Sequence, residues 1–128
     1  MIGKPVHLLA IAGGGAIGAV LRFLAASGVQ RLLERGFPYG TLFVNLTGSL
    51  LMGVLFVLLT ERTLSPPWVR AFLLVGFLGA FTTFSTFSIE TFNLLESGEM
   101  LRAVVNVLLS VGMCVMAAML GVMVGRSL

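Results

Sequence analysis

Two sets of polar side chains recur at every fourth position within otherwise apolar segments. One set is Thr41, Asn45 and Ser49, and the other is Asn106, Ser110 and Cys114. Residues spaced by four lie on one face of an α-helix, so each set predicts a polar stripe. Amides and hydroxyls on such stripes can donate hydrogen bonds. Either stripe alone is compatible with simple bonding between helices, but two in one small chain favour a polar path.

A third segment, residues 76–88, mixes aromatic and hydroxyl side chains. Phe81, Phe84 and Phe87 recur at every third position, and Thr or Ser residues fill the gaps. Glycines and adjacent β-branched residues weaken helical continuity here, which predicts a break near residues 79–82. A break would free carbonyl oxygens, and a bound cation is one way to satisfy them. The alternative is an intact helix whose phenylalanines pack as core.

The chemistry of these side chains favours transport of a small anion. Amide and hydroxyl hydrogens and the positive edges of Phe rings all attract negative charge. Arg22, toward one end of the first apolar segment, adds a full positive charge, whereas Glu90 is the only carboxylate within a predicted helix. No acidic ring of the kind that selects cations is present. Glu90 either anchors the polar path or is an ordinary carboxylate at a helix end.

Composition places these segments in a membrane. Of the 128 residues, 58% are hydrophobic and 10% are charged, whereas soluble domains have about 25% charged residues. The abundance of apolar side chains argues against a disordered chain. The net charge of +3 comes from scattered basic residues, which form no patch for a nucleic acid. The single cysteine excludes an internal disulfide.

Runs without a charged residue define the predicted helices. These runs are residues 5–21, 41–60, 71–89 and 103–125. A membrane-spanning helix needs about 20 mainly apolar residues, so the pattern predicts an all-α membrane protein with one transmembrane domain, residues 1–128. The four transmembrane helices are predicted at about 6–32, 40–60, 68–95 and 101–125, with the break in the third. A cleaved signal peptide is the alternative for the first run.

Basic residues are distributed almost evenly between the two predicted membrane sides. One side has Lys4, Arg62, Arg70 and Arg126, and the other has Arg31, Arg35 and Arg102, with Arg22 deeper. Because the asymmetry of Lys and Arg sets the orientation of membrane helices, this chain has little bias toward either direction. We therefore expect dual topology and an antiparallel homodimer. A fixed orientation set by other factors is the alternative.

Two segments resemble a known family. Residues 40–46, GTLFVNL, and residues 76–90, GFLGAFTTFSTFSIE, are similar to the Fluc/CrcB fluoride channels. The spacing of Gly14 and Gly18, followed by Arg22, is also similar. The likeness covers essentially the whole chain in its four-helix order, and the TTFSTFS motif is its specific part.

The resemblance implies a fluoride-selective channel that lets fluoride leave the cytoplasm passively and so limits its toxicity. It implies an antiparallel dimer with two pores, in a bacterial inner membrane. The pore residues implied are Asn45, Phe84, Phe87, Ser110, Thr41, Asn106 and Glu90. Arg22 would lie in the vestibule, and main-chain oxygens of Gly79 and Thr82 would hold a structural sodium ion at the dimer centre. Asn106 and Cys114 depart from the family pattern, in which tyrosine and serine occur.

Three other functions are weighed against this one. A small proton-coupled multidrug exporter needs a carboxylate inside the first helix, and residues 5–21 contain none. A membrane assembly subunit that transports nothing would show no ion flux in liposomes. An enzyme is disfavoured because no nucleophile is paired with a base and His7 is the only histidine.

Overall fold

Four helices make up the computed structural model, which describes residues 4–128; residues 1–3 of the predicted domain lie outside the described part. Each is long and apolar enough to cross a membrane: α1 (Pro5–Leu32), α2 (Tyr39–Glu61), α3 (Pro67–Glu96) and α4 (Met100–Ser127). No β-strand occurs between residues 4 and 128. The prediction of an all-helical protein with four candidate membrane spans is therefore confirmed.

Proline and glycine mark the ends of α3. Pro67 is its first residue, where the missing backbone N–H costs nothing because that position has no helical acceptor. At the other end Gly98 has a φ of 80°. Gly98 N donates to Leu95 O at 3.1 Å, and Glu99 N donates to Leu94 O at 2.8 Å. These two bonds form a Schellman motif, which stops α3 and turns the chain into α4.

The backbone of α3 changes conformation along its length. The first half contains π-type turns over Ala71–Leu78, and the second half is α-helical over Phe84–Glu96. Between these halves Thr82 has φ −94° and ψ 157°, and Thr83 has φ −150° and ψ 126°. Both residues are thus extended, so helical hydrogen bonding stops and restarts within the span. We call Thr82 and Thr83 the extended pair.

Glycines bring the helices together as two closely packed pairs. α1 packs on the first half of α3, and α2 packs on α4. A Cβ atom added at Gly14 would collide with the carbonyl oxygen of Phe72, and one added at Gly121 would collide with that of Leu50. In lipid, where apolar side chains gain little by leaving the solvent, such close backbone contact is a main source of helix association. We refer to these contacts as the glycine contacts.

The surface of the molecule is apolar and its interior holds polar groups. Leu9, Phe23 and Met116 are examples of large apolar side chains that are mostly exposed. Thr41, Asn106 and Ser110, in contrast, are buried with exposed fractions of 6%, 1% and 7%. In a soluble domain, large apolar side chains are mostly buried and polar side chains are mostly exposed, which is the reverse of this distribution. It suits hydrocarbon, which accepts apolar side chains and offers polar groups no partner.

Candidate functional site

The Asn45 side chain on α2 holds the extended pair in place. Its Nδ2 donates to Thr83 O at 3.0 Å, and its Oδ1 accepts from Thr83 N at 2.8 Å. These two bonds replace the helical bonds that Thr83 lacks, because a buried backbone group needs a partner. Asn45 is therefore the residue that stabilises the interruption of α3, and a primary amide retains one further hydrogen that it can donate.

Thr83 also starts the second half of α3. Its hydroxyl accepts from Thr86 N at 3.2 Å and lies 3.1 Å from the Thr86 hydroxyl. A threonine that accepts from the backbone three residues later is an N-cap, which satisfies one of the free N–H groups of a new helix. The helix restarts here because Thr83 caps it.

Three carbonyl oxygens at the interruption accept no hydrogen bond from residues 4–128, namely those of Gly79, Phe81 and Thr82. The Thr82 N–H and hydroxyl both donate to Leu78 O, at 3.1 and 2.9 Å. The carbonyl oxygen of Ala80, the residue after Gly79, accepts from Arg22 Nε at 3.0 Å. Arg22 thus already supplies one positive charge to this group of oxygens.

Near the extended pair lies a cavity of about 400 Å³, which we call the central cavity. Its wall includes both polar stripes and the aromatic segment, through Asn45, Ser49, Phe84, Phe87, Ser110 and Cys114. The centroids of the Phe84 and Phe87 rings are 5.4 Å apart, with an angle of 45° between the ring planes. Phe87 is buried, whereas Phe84 is 75% exposed. Among the described residues, no Asp, Glu, Lys or Arg lines this cavity.

A larger cavity of about 900 Å³, the end cavity, lies where the α1–α2 and α3–α4 links meet. Charged residues line it, among them Arg31, Arg35 and Glu90. Arg102 also lines it and is paired with Glu34 at 3.2 Å and with Glu99 at 3.7 Å. The two cavities therefore differ in chemistry: one is neutral and aromatic, and the other is charged.

A buried chain of hydrogen bonds leads from the central cavity toward the end cavity. Ser110 Oγ donates to Asn106 Oδ1 at 3.3 Å, and Asn106 Nδ2 donates to Thr91 Oγ1 at 2.9 Å. Glu90, the residue before Thr91 in sequence, lines the end cavity, and its Oε1 is buried without a hydrogen-bond partner in the described residues. The Thr41 side chain lies beside this carboxyl group. The stripes on α2 and α4 thus meet around the second half of α3.

The structure brings most of the predicted site residues together. Asn45, Phe84, Phe87, Ser110 and Thr82 line the central cavity. Thr41, Asn106 and Glu90 lie along the buried chain of hydrogen bonds or beside it. Arg22 and Gly79 line neither cavity and instead lie at the interruption of α3.

Sequence reasoning did not single out Thr83 and Thr91. A signal for Thr83 existed, because it is a hydroxyl residue placed immediately before an apolar helical segment, as N-caps are. Thr91 follows Phe87 by four residues and so shares its helical face. Nothing in the spacing, however, indicates that Thr91 meets Asn106 on another helix.

Four membrane-spanning helices around a buried polar path are the arrangement of a small membrane channel. The model of one family, described as CrcB-like protein, Camphor Resistance (CrcB), matches residues 9–122. Because that match covers most of the sequence, the chain belongs to the CrcB family.

Similar proteins carry a more specific name, fluoride-specific ion channel FluC. The one from Magnetococcus marinus is 55% identical over 91% of this chain and 94% of its own. The one from Methylococcus capsulatus is 52% identical over 96% of this chain but only 54% of its own. The one from Coxiella burnetii is 52% identical over 94% of this chain and 98% of its own.

Proposed function

We propose that this protein is a fluoride-selective channel that lets fluoride leave the cytoplasm passively and so lowers its toxic accumulation. The observation that carries the proposal is the central cavity, whose wall includes the Asn45 amide, the Ser110 hydroxyl and two phenylalanine rings and, within residues 4–128, no charged side chain. The similarity to channels named fluoride-specific supports the identity of the ion. The bacterial inner membrane is the proposed location.

Selectivity follows from what a dehydrated fluoride ion needs. Fluoride is small and strongly hydrated, so it enters a narrow path only where other donors replace its water. The free hydrogen of the Asn45 amide and the positive ring edges of Phe84 and Phe87 are such groups. The Ser110 hydroxyl would join them when its hydrogen leaves Asn106. Chloride is larger and is excluded where the path is narrow. A path without carboxylates at its centre also avoids attracting cations.

The proposed path continues from the central cavity through Ser110, Asn106 and Thr41 to Glu90. Burial of these groups supports it, since polar side chains in a membrane protein are retained where they serve a path or pair with one another. The rim of the end cavity carries Arg31 and Arg35, which would raise the local concentration of anions. Arg22 is the proposed vestibule residue. It lies beside the interruption of α3, where its positive charge would attract anions toward the path.

The assembly we propose is an antiparallel homodimer formed by chains that insert in both directions. Two observations support it: basic residues are nearly balanced between the membrane sides, and the Phe84 ring is 75% exposed in the single chain. A second copy would cover that ring and complete the pore wall. Adding two lysines to one end of the chain should abolish flux unless an oppositely biased copy is also present. Full activity of one biased form alone would contradict dual topology.

We further propose that the carbonyl oxygens of Gly79 and Thr82 hold a structural sodium ion. The residues fit this group, because neither oxygen accepts a hydrogen bond from the part of the chain that the structure describes and neutral oxygen ligands suit hard cations. When bound, the ion would supply positive charge beside the anion path. The chain's own part is to keep the interruption open, through the bonds from Asn45 to Thr83. Protection of the protein against thermal unfolding by sodium, relative to potassium, tests this independently of flux.

A fluoride-electrode assay on purified protein in liposomes tests the proposed function. Vesicles loaded with potassium fluoride should release it after a potassium ionophore is added, whereas vesicles loaded with potassium chloride should not. Vesicles without protein are the control. Failure to release fluoride, or equally fast release of chloride, would reject a fluoride-selective channel and favour a subunit that transports nothing or an unselective pore.

A further inference from the structure

The hydrogen of the Ser110 hydroxyl is not available to an anion in the arrangement that the structure shows. It points to Asn106 Oδ1, although Ser110 lines the central cavity. A hydroxyl has only one hydrogen to donate. If Ser110 rotates this hydrogen from Asn106 to an anion, the buried Oδ1 of Asn106 loses the donor that the structure gives it.

A half-turn of the Asn106 amide avoids this loss. The oxygen and nitrogen of an asparagine amide have nearly the same shape, so both orientations fit one site. After the turn, Nδ2 would donate to Ser110 Oγ and Oδ1 would accept from Thr91 Oγ1. The Ser110 hydrogen would then be free to point into the cavity.

Thr91 decides which orientation is preferred. Its Oγ1 donates to Phe87 O at 2.8 Å and accepts from Asn106 Nδ2 at 2.9 Å. The orientation in the structure makes three hydrogen bonds among these groups: Asn106 to Thr91, Ser110 to Asn106, and Thr91 to Phe87. The turned orientation makes two hydrogen bonds: Asn106 Nδ2 donates to Ser110 Oγ, and Thr91 Oγ1 donates to Asn106 Oδ1 instead of Phe87 O. A third forms only when an anion accepts the Ser110 hydrogen.

We propose that Thr91 is a positioning residue of the anion path, which holds the Asn106 amide turned away until an anion enters the central cavity. An anion that accepts from Ser110 favours the turned orientation, in which Asn106 Oδ1 keeps a donor, so it shifts the population toward that orientation. The cost of turning the amide is subtracted from the binding of the anion. Thr91 therefore sets the affinity of the path through Asn106 and Ser110. This inference rests on the proposed function.

Replacing Thr91 by valine tests the idea, because valine keeps the shape and removes the hydroxyl. In Thr91→Val the Asn106 N–H would face a methyl group, and a buried N–H without a partner is poorly tolerated. The amide should turn toward Ser110, which frees the Ser110 hydrogen. The fluoride concentration for half-maximal flux in liposomes should fall at least threefold. The matched variant Thr91→Ser, which keeps the hydroxyl, should behave as the unchanged chain does.

The Ser110→Ala background shows whether Thr91 acts through Ser110. There the effect of Thr91→Val on the half-maximal fluoride concentration should vanish. A residue that only ties α3 to α4 would give the same change in both backgrounds. An unchanged or higher half-maximal concentration in Thr91→Val, or a fall that persists with Ser110→Ala, would overturn the inference.

Two controls keep the result decisive. Gel filtration reports whether each variant assembles. If Thr91→Val does not assemble, Thr91→Cys provides the same comparison, because a thiol is a weak donor and acceptor.

The unchanged chain separates the two proposals. If it releases no fluoride, the proposed function fails. If it releases fluoride selectively but the Thr91 variants miss the expected pattern, only this inference fails.

Discussion

The glycine contacts and the central cavity differ in what side chains do: they are absent at the first and replace backbone hydrogen bonds at the second. At the glycine contacts the absence of side chains lets backbones touch, as where Gly121 meets the carbonyl of Leu50. At the central cavity a side chain takes the place of missing backbone bonds, as where Asn45 pairs with Thr83. The first region fixes where the helices lie, and the second keeps polar groups available within them. Stability and transport should therefore respond to different substitutions.

The largest expected effect comes from a methyl group at a glycine contact. In Gly121→Ala the new Cβ would overlap backbone atoms of α2, including Leu50 O. Backbone cannot move aside as a side chain can, so we expect a loss of stability of about 3 kcal/mol or more and little assembled protein in gel filtration. Gly112→Ala is the matched control on the same helix, because nothing lies within 4 Å of its added Cβ. Normal assembly of Gly121→Ala would show that this contact is not close.

A smaller but selective effect is expected from Asn45→Asp. A carboxylate can still accept from Thr83 N, but it cannot donate to Thr83 O or to an anion, and it adds negative charge to the central cavity. Losing a hydrogen bond to a charged group costs about 1.5 to 3 kcal/mol, so fluoride flux should fall about 10-fold to 100-fold.

The control for this substitution is Asn93→Asp, which places the same change in the water-exposed end cavity. Its fluoride flux should stay close to that of the unchanged chain, because water screens the added charge. Equal losses in the two variants would mean that the cavities do not differ in function.

The mildest effect is expected from loss of one aromatic ring edge. Phe84→Ile keeps an apolar side chain in the cavity wall but removes the positive edge and the ring contact with Phe87. Contacts between aromatic rings are worth about 0.5 to 1.5 kcal/mol. Flux should fall about threefold to tenfold with assembly intact. Phe92→Ile, on the same helix but outside both cavities, is the matched control and should conduct normally. Unchanged flux in Phe84→Ile would remove this ring from the proposed path.

Much of the architecture follows from local sequence. The charge-free runs predict four spans, and α1 to α4 are such helices because apolar length alone decides whether a segment can cross a membrane. The stripes that contain Asn45 and Ser110 are likewise visible as spacings. The pairing of Asn45 with Thr83 is not visible, because these residues are 38 positions apart in sequence. Their contact depends on how α2 is rotated against α3.

The sequence by itself determined that the chain spans a membrane, that it resembles one channel family, and that its polar side chains are amides and hydroxyls rather than carboxylates. Only the tertiary structure decided which hydrogens of those groups are already in hydrogen bonds and which remain available to an anion. The Asn45 amide donates one of its two hydrogens to Thr83 O, and the Ser110 hydroxyl donates its single hydrogen to Asn106 Oδ1. The physical reason is that the use of a donor depends on the acceptors around it, and tertiary packing sets these. The acceptor of Asn45 lies on α3, and Asn106, the acceptor of Ser110 on the same helix, is itself bonded to Thr91 on α3.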